Sequence, residues 1–289
     1  MVFGSSSEMN HFQQLEPLTE IVQNKLLGLR EFIAKLDKTC VAYSGGVDST
    51  LVTSLAFEQL GSKAIAITGV SPALAKTLLE EARSQAKWIG IKHLEIETSE
   101  LDHVGYSKNP KDRCFACKKE LHKHTTFLSK KLNYKIVLDG VNLDDLGDYR
   151  PGIQAAKQAG VISPLAKFKF TKKDIRDISK ALGFPWWDKP AQPCLSSRFP
   201  YGYEITNQRL KMVEKAEEYL KKGGISEVRV RCQGTTARIE IPQDQLENFF
   251  KNYDFNKIVQ YFSNLGFNCT SLDLEGLISG KLNRSLRKS

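Results

Sequence analysis

The sequence lacks the features of a membrane or secreted protein. No apolar run approaches the roughly 20 residues that a helix needs to cross a bilayer. Residues 1–14 contain neither a basic segment nor an apolar stretch after it, so no secretory signal is visible. We therefore expect a cytoplasmic protein with no membrane partner. Internal repeats and low-complexity tracts are also missing, and the apolar and charged fractions, 41% and 26%, are those of an ordinary globular chain.

Acidic residues are the minority among the charged ones. The 33 Asp and Glu residues face 42 Lys and Arg residues, which gives a net charge of +9. This balance favours an anionic partner, either ATP with a phosphorylated small molecule or RNA. Six cysteines in a cytosolic chain of 289 residues favour metal or redox chemistry over structural disulfides.

The chain is long enough for two domains. Residues 1–17 are predicted to be a flexible tail, and residues 18–202 an α/β domain that opens with an amphipathic helix over 18–36. Strands alternating with helices predict a doubly wound parallel sheet. Residues 203–289 contain a helix over 207–222, a hairpin and a last strand, which indicates a small α+β domain for substrate binding or oligomerisation. The strands predicted for the first domain lie at residues 39–43, 63–68, 92–98 and 135–140.

The most informative stretch is Tyr43-Ser44-Gly45-Gly46-Val47-Asp48-Ser49-Thr50. A buried strand precedes it and a helical pattern follows it. A strand that enters a Gly-Gly turn and leaves as a helix presents backbone N–H groups to an anion such as phosphate. No Lys follows the glycines, so this is not the P-loop pattern. The stretch resembles instead the S-G-G-x-D-S loop of the ATP pyrophosphatase (PP-loop) family, whose members split ATP into AMP and pyrophosphate.

A second loop, residues 139–150, follows the fourth predicted strand. Its carboxylates lie where a triphosphate would need Mg²⁺, an ion that prefers oxygen ligands. Arg150 is placed to meet pyrophosphate. The alternative interpretation is a solvated acidic loop.

Three cysteines form the third candidate site. Cys114 and Cys117 make a C-x-x-C motif, and Cys194 stands in Gln192-Pro193-Cys194-Leu195-Ser196-Ser197-Arg198. One interpretation is a zinc site completed by His122 and His124. Another is a redox dithiol, and a third is a [4Fe–4S] cluster with one open iron that could hold a sulfide. Cys40, Cys232 and Cys269 are expected to be packed inside their domains.

Three further motifs make the resemblance more specific. Residues 194–202, 228–231 and 272–276 together resemble the LarE family of ATP-dependent sulfur transferases. The resemblance implies that ATP adenylates a carboxylate of a pyridinium dicarboxylate mononucleotide and that sulfur then displaces AMP. This is a step in making the nickel-pincer nucleotide cofactor. It also implies a homo-oligomer.

That family has two versions of the sulfur source. In one a single cysteine gives up its own sulfur, and in the other three cysteines hold an iron–sulfur cluster that delivers sulfide. The three-cysteine pattern of this chain favours the cluster version, with Cys194 in the sulfur-delivering region under either version. The rival function is a tRNA thiolase of the same superfamily. The chain has no added RNA-binding module and no aromatic–basic interleaving, so nucleic acid is not the expected partner.

The resemblance also implies roles for individual residues. Asp48 is expected to be catalytic together with the three cysteines. Ser197, Arg198, Arg229 and Arg231 are suited to grip the phosphate or carboxylate of the substrate, and two arginines that alternate along a strand share one face. Glu217 and Glu240 correspond to acidic metal ligands of the family, with salt bridges as the alternative. The residues expected to bind ATP and Mg²⁺ are Ala42, Ser44, Gly45, Gly46, Asp48, Ser49, Thr68, Gly140, Asp144 and Arg150.

Overall fold

The structure is a computed structural model that describes residues 12–147, 151–278 and 280–286. It divides into two compact units. Unit 1 contains the residues up to Ser71, Lys76–Ser99 and Cys114–Gln192. Unit 2 contains Pro72–Ala75, Glu100–Arg113 and the residues from Pro193 onward. Within the described ranges, no helix has both the length and the apolar character needed to cross a membrane.

The elements follow the order that the sequence predicts. In chain order the helices are α1 (Glu20–Ala34), α2 (Val47–Leu60), α3 (Lys76–Ile89), α4 (Val104–Ser107), α5 (Arg113–Lys131), α6 (Pro151–Gln158), α7 (Pro164–Lys167), α8 (Lys172–Ala181), α9 (Asn207–Lys222), α10 (Leu246–Asn252) and α11 (Phe255–Leu265). The strands are β1 (Thr39–Ala42), β2 (Ala64–Val70), β3 (Lys92–Glu97), β4 (Ile136–Leu138), β5 (Arg229–Gln233), β6 (Thr236–Glu240) and β7 (Cys269–Leu272).

Unit 1 is built on a parallel sheet with the strand order β3-β2-β1-β4. The order reverses at β1, because β2 and β3 lie on one side of it and β4 on the other. In such sheets ligands bind beyond the carboxyl ends of the strands, next to the point of reversal. The Ser-Gly-Gly loop, residues 43–50, leaves β1 at that point. The prediction of a doubly wound α/β fold of the PP-loop type is confirmed.

The core of unit 1 holds the sheet against α1, α2 and α8. Leu26, Leu29 and Ile33 repeat at helical spacing on α1 and are fully buried. They meet the buried face of α2, which carries Leu51 and Leu55. Burying a side chain of this size stabilises a fold by roughly 2 kcal/mol. This packing holds β1 and α2, and therefore the loop between them, on a rigid base.

Unit 2 contains a three-stranded sheet with the order β5-β6-β7. Strands β5 and β6 form an antiparallel hairpin, and β7 pairs with β6 in parallel. Val230, Cys232 and Ile239 point to the buried face of the hairpin. Helices α9 and α11 contact each other through Tyr219 and Tyr261, whose rings stack with centroids 4.1 Å apart. The small α+β region predicted at the C-terminal end is confirmed as a fold.

The structure differs from two expectations drawn from the sequence. The last passage from unit 1 to unit 2 lies between Gln192 and Pro193, not after residue 202, and the domain assignment itself stays a prediction. The shift has a local cause, since the Leu195 N–H donates to the Ala73 carbonyl inside unit 2 at 2.8 Å. Cys40 and Cys232 are buried as expected, whereas Cys269 is exposed, so its predicted packing is wrong.

Candidate functional site

The backbone of the Ser-Gly-Gly loop requires its first glycine. Gly45 has a φ of +69°, and a Cβ built on it would lie 3.0 Å from the Cβ of Ala82 on α3. Gly46 is the N-cap of α2 and supplies no side-chain cap. The N–H groups of the first turn of this 14-residue helix therefore have no capping side chain and, together with the helix dipole, favour an anion.

The hydroxyl groups of the loop bind the loop itself. Ser49 Oγ accepts a hydrogen bond from the Ser44 N–H at 3.2 Å and donates to the Gly46 carbonyl at 3.1 Å. Thr50 Oγ1 lies 2.8 Å from the same carbonyl. These bonds make the loop rigid. A direct contact of Ser44 and Ser49 with nucleotide stays a prediction.

A histidine that the sequence did not single out, His93, lies near the start of β3 and contacts Thr68 on β2. Thr68 Oγ1 donates to the Tyr43 carbonyl at 2.8 Å and lies 2.8 Å from His93 Nε2. Because the hydroxyl proton is used on Tyr43, the imidazole Nε2 is the donor in the second bond. Burial lowers the pKa of His93. Thr68, on β2, is thus held by two partners. It lies beside the predicted nucleotide site, which includes Ala42 at the end of β1.

Gly140 brings the acidic loop onto the start of α2. A Cβ at this position would lie 2.6 Å from the Ser49 nitrogen and 2.8 Å from its Cα. No side chain fits there, because the obstacle is backbone. The close approach places residues 139–144 against the Ser-Gly-Gly loop, as the prediction of a shared site requires.

Asp48 and Asp144 both contact Lys172, a residue that the sequence did not single out. Lys172 Nζ donates to the two Asp48 carboxylate oxygens at 2.5 and 2.7 Å. Its backbone N–H donates to Asp144 Oδ2 at 2.7 Å. Lys172 is the first residue of α8, where Thr171 and Asp174 form a capping box that fixes the helix start. Two carboxylates predicted to bind ATP and Mg²⁺ therefore contact the same residue, Asp48 through the Lys172 ammonium group and Asp144 through its backbone N–H. Arg150 lies outside the described residues.

The other carboxylates of the acidic loop are engaged locally. Asp145 Oδ2 accepts from the Asn142 N–H at 3.2 Å, and Asp139 Oδ1 accepts from the Val141 N–H at the same distance. Burial raises the pKa of Asp139. Of the described carboxylates in this loop, Asp144 is the exposed one beside Lys172 that is best placed to join Asp48 at a metal ion.

The C-x-x-C motif lies at the start of α5 in unit 1. Its spacing of three puts Cys114 and Cys117 on one side of the helix, with Cys114 exposed and Cys117 half-buried. His122 is 1% exposed, and burial lowers its pKa to about 4. His124 Nε2 lies 2.7 Å from a Glu120 oxygen. Over the ranges that the structure covers, no three or more Cys, His, Asp or Glu side chains are gathered as a metal site, so zinc and cluster both stay predictions.

Cys194 stands in unit 2, directly before a 3-10 turn over Leu195–Arg198. This turn is braced from the segment 100–113. The Tyr106 and Ser196 hydroxyls are buried and lie 2.6 Å apart. Asn109 donates to the Pro200 carbonyl at 2.7 Å and accepts from Arg113 at 2.6 Å. The half-buried Cys194 therefore precedes a segment of fixed conformation.

Arg198 is held in a bidentate ion pair. Its Nε and Nη2 donate to the two Glu217 oxygens at 2.7 and 3.0 Å, and its Nη1 donates to Ser197 Oγ at 2.8 Å. Burial alone would lower the pKa of Arg198, but the Glu217 carboxylate raises it above its ordinary value. The guanidinium is thus charged, buried and fixed beside the backbone of Cys194, whose carbonyl it also reaches at 3.4 Å.

Arg229 and Arg231 share one face of the β5–β6 hairpin, as predicted. Arg231 donates to Glu240 Oε2 at 2.9 Å and to the Ser197 carbonyl at 2.6 Å. Arg229 is half-buried, its backbone pairs with Glu240 in the hairpin, and among the described residues its side chain has neither an ion-pair nor a hydrogen-bond partner. Burial and the charges of Arg198 and Arg231 lower its pKa. We call Arg198, Arg229 and Arg231 the arginine cluster.

A cavity of about 250 Å³ opens beside the arginine cluster in unit 2. Besides Arg198 and Arg231, it is lined by cationic, aromatic, amide and apolar side chains and by the carboxylate of Glu240. These are Pro200, Tyr201, Gln233, Arg238, Glu240, Lys281 and Leu282. The size suits part of a small molecule, not a macromolecule.

Glu217 and Glu240, the acidic metal ligands implied by the resemblance, are both paired with arginine. Glu217 also accepts the Val230 N–H at 3.0 Å, and Glu240 lies 3.4 Å from Arg238. The arginine contacts are salt bridges, the sequence-based alternative to metal ligation. However, the pairs are not on the surface, since the two glutamates are 4% and 0% exposed.

The fold and these sites define an α/β protein of the PP-loop type with a second, α+β unit that carries a cysteine beside an arginine cluster. No protein-family model matches the chain. It is 34% identical over 257 residues to the pyridinium-3,5-bisthiocarboxylic acid mononucleotide synthase of Lactiplantibacillus plantarum. The matched residues make up 88% of this chain and 92% of the relative. The chain belongs to the family of that synthase, the LarE family.

Two relatives without an assigned function match over similar lengths. An uncharacterized protein of Synechocystis sp. is 53% identical over 268 residues, 93% of this chain and 100% of the relative. An uncharacterized protein of Methanocaldococcus jannaschii is 34% identical over 241 residues, 83% of this chain and 91% of the relative. The likeness thus extends over both units.

Proposed function

We propose that this chain is an ATP-dependent sulfur transferase of nickel-pincer nucleotide biosynthesis. It adenylates a carboxylate of a pyridinium dicarboxylate mononucleotide and replaces the activated oxygen by sulfur. The observation that carries the proposal is the 34% identity, over 88% of the chain, to a relative named as a synthase of the bisthiocarboxylic acid mononucleotide. Making a thiocarboxylic acid from a carboxylic acid requires activation, because a carboxylate is a poor electrophile.

The geometry of unit 1 supports adenylation by ATP. A carboxylate oxygen attacks the α-phosphorus, a new P–O bond forms, and pyrophosphate leaves with the electrons of the broken bond. The backbone N–H groups at the start of α2 are aimed at an anion and need no reorganisation, which stabilises charge that develops on the phosphate. Asp48 and Asp144 have the oxygen ligands that Mg²⁺ prefers, and they would hold the ion that neutralises the triphosphate. Asp48 would then leave its ion pair with Lys172 and bind the metal ion.

The geometry of unit 2 supports binding of a phosphorylated substrate. The Arg229 side chain has no ion-pair or hydrogen-bond partner among the residues that the structure covers, and burial together with two neighbouring guanidinium groups lowers its pKa. An anion there would relieve that repulsion. Because Glu217 and Glu240 fix the guanidinium groups of Arg198 and Arg231, the substrate meets donors that are already oriented. Ser197 contributes a hydroxyl group on the same turn.

Sulfur transfer is assigned to Cys194. Arg198 Nη1 lies 3.4 Å from the Cys194 carbonyl and fixes the backbone from which the thiol extends. A cysteine reacts as a nucleophile through its thiolate. In the second half-reaction a sulfur nucleophile attacks the carbonyl carbon of the acyl-adenylate, the C–S bond forms, and AMP leaves. Cys114, Cys117 and Cys194 have the thiolate chemistry that a [4Fe–4S] cluster requires, and they would hold it. When bound, the cluster would supply an open iron able to carry a sulfide.

Two substitutions test the division of labour. Asp48→Ala should abolish AMP formation, while Cys194→Ala should allow adenylation and stop thiolation. The assay supplies ATP, the mononucleotide and sulfide under anaerobic conditions, with AMP measured by chromatography and the thiocarboxylate by mass spectrometry. Cys269→Ser is the matched control, because this cysteine is exposed in unit 2. AMP release by Asp48→Ala, or thiolation by Cys194→Ala, would overturn the corresponding role.

The sulfur source is tested on the same preparations. An absorption band at about 400 nm in anaerobically purified protein supports the [4Fe–4S] cluster. If the peptide that contains Cys194 is lighter by one H₂S after a single turnover, the cysteine-sacrificing version is supported. Thiolation of tRNA with salt-dependent binding would instead support the rival tRNA thiolase. Assembly as a homo-oligomer is also proposed, and its test is the mass in solution.

A further inference from the structure

Lys189 contacts the Ser-Gly-Gly loop from a segment that no motif singled out. Its Nζ donates to the Gly45 carbonyl at 3.2 Å and pairs with the Glu81 carboxylate on α3. The side chain is 14% exposed. Its backbone is held as well, since the Lys189 N–H donates to the Trp186 carbonyl at 3.1 Å. A lysine buried to this degree needs partners, and both of its partners belong to the surroundings of the loop.

The carbonyl that Lys189 holds belongs to the peptide between Gly45 and Gly46. In a planar trans peptide the C=O and N–H groups point in opposite directions. Holding the Gly45 oxygen therefore also sets the direction of the Gly46 N–H. This N–H lies at the N-cap of α2, among the groups that favour an anion.

The hydroxyl bonds within the loop hold the Ser44 N–H and the Gly46 carbonyl, and neither group belongs to the Gly45–Gly46 peptide. Both flanking residues are glycines, which lack the Cβ that restricts φ and ψ. A rotation of the peptide plane would turn the carbonyl towards a bound phosphate and the N–H away from it. One hydrogen bond from an ammonium group is enough to favour one orientation strongly.

We propose that Lys189 is a positioning residue that locks the Gly45–Gly46 peptide in the orientation that binds the phosphates of the nucleotide. Glu81 anchors the ammonium group from α3 and offsets its charge, so Lys189 acts through geometry and not as a bare attraction for phosphate. The inference rests on the proposed nucleotide function, and it adds a residue that acts on the loop without touching the reacting atoms.

The first test needs no nucleotide. The sequence has two Gly-Gly pairs, 45–46 and 223–224. Protein labelled with ¹³C-carbonyl and ¹⁵N glycine therefore gives carbonyl-correlated amide signals from Gly46 and Gly224, the second serving as an internal control in unit 2. In Lys189→Met the Gly46 signal should shift or split while the Gly224 signal stays unchanged. Lys189→Arg should restore it. An unchanged Gly46 signal in Lys189→Met would overturn the inference.

The second test measures affinity for an ATP analogue with a methylene group between the α and β phosphates, by calorimetry. Lys189→Met should bind it about tenfold more weakly, as expected for one hydrogen bond to a charged donor. Lys189→Arg should recover most of the affinity. Lys173→Met is the matched control, since that side chain is 82% exposed on α8 and pairs with Asp177; it should bind like the unaltered chain. Equal affinity of Lys189→Met and the unaltered chain would overturn the inference.

Glu81→Gln separates geometry from charge. Loss of the anchor should weaken binding two- to threefold or so if Lys189 is a positioning residue. Stronger binding would show that the lysine acts as a bare charge and would contradict the proposal. If the unaltered chain bound no analogue while Gly46 still responded to Lys189→Met, the proposed function would fail and the role of Lys189 on the loop would stand.

Discussion

The Ser-Gly-Gly loop of unit 1 and the arginine cluster of unit 2 are both suited to anions, by different means. The loop presents backbone N–H groups, and its conditions are steric, since Gly45 and Gly140 leave no room for a side chain. The cluster presents side chains, and its conditions are electrostatic, since Arg198 and Arg231 each need a buried carboxylate. The comparison teaches that a backbone site is broken by adding atoms, whereas a side-chain site is broken by removing charge.

The largest expected effect is the loss of a counter-charge in unit 2. Glu240→Ala leaves the buried Arg231 guanidinium without its carboxylate, which should reduce the free energy of unfolding by about 3–5 kcal/mol. Chemical denaturation measures it. Replacing both partners, in Arg231→Leu with Glu240→Leu, should recover most of the loss. A single variant as stable as the unaltered chain would contradict the electrostatic account of the cluster.

The next effect concerns His122 of unit 1, a buried side chain without an ion-pair partner among the described residues. The pKa of His122 is lowered from 6.5 to about 4, so the unfolded chain binds its proton first as the pH falls. Stability is fully present above pH 6.5 and is lost between 6.5 and 4, by up to about 3 kcal/mol. Unfolding free energies measured across that window should fall, and His122→Gln should flatten this part of the profile. The same slope in His122→Gln would assign the pH dependence to other groups.

Gly140→Ala tests the steric side of the comparison. The added Cβ would meet the Ser49 backbone at 2.6 Å, so the acidic loop or the start of α2 must move. A displacement of this order costs about 100-fold in rate when it misplaces reacting groups. AMP formation should fall accordingly. Gly147→Ala is the matched control in the same loop, because nothing lies within 4 Å of its added Cβ.

The smallest effect separates Arg229 from its neighbours. Because Arg229 has no ion-pair partner in the described chain, Arg229→Leu should leave the free energy of unfolding unchanged or raise it slightly. It should weaken binding of the mononucleotide about tenfold, as expected for one charged hydrogen bond. Calorimetric titration measures the affinity. A variant that is destabilised but binds normally would give Arg229 a structural role.

Much of the fold could be predicted from local pattern. The β-branched run before Gly45 predicts β1, and the apolar spacing after Val47 predicts α2, because a strand and a helix each repeat at a period that the sequence displays. Helix α9 begins and ends at the predicted residues, Asn207 and Lys222. The alternation of Arg229 and Arg231 predicts that they share a face. The exposure of Cys269 was not predictable, since it depends on what covers β7.

The amino-acid sequence by itself determined the order of strands and helices, the Gly45–Gly46 turn between β1 and α2 and the alternation of the arginines, since each follows from neighbours in the chain. Only the tertiary structure decided that Lys172 meets Asp48, that Lys189 holds Gly45, and that Glu217 and Glu240 pair with arginines. These contacts join residues 9 to 144 positions apart, from Arg231–Glu240 to Gly45–Lys189. No local period encodes such contacts, because they depend on which faces the packed core brings together.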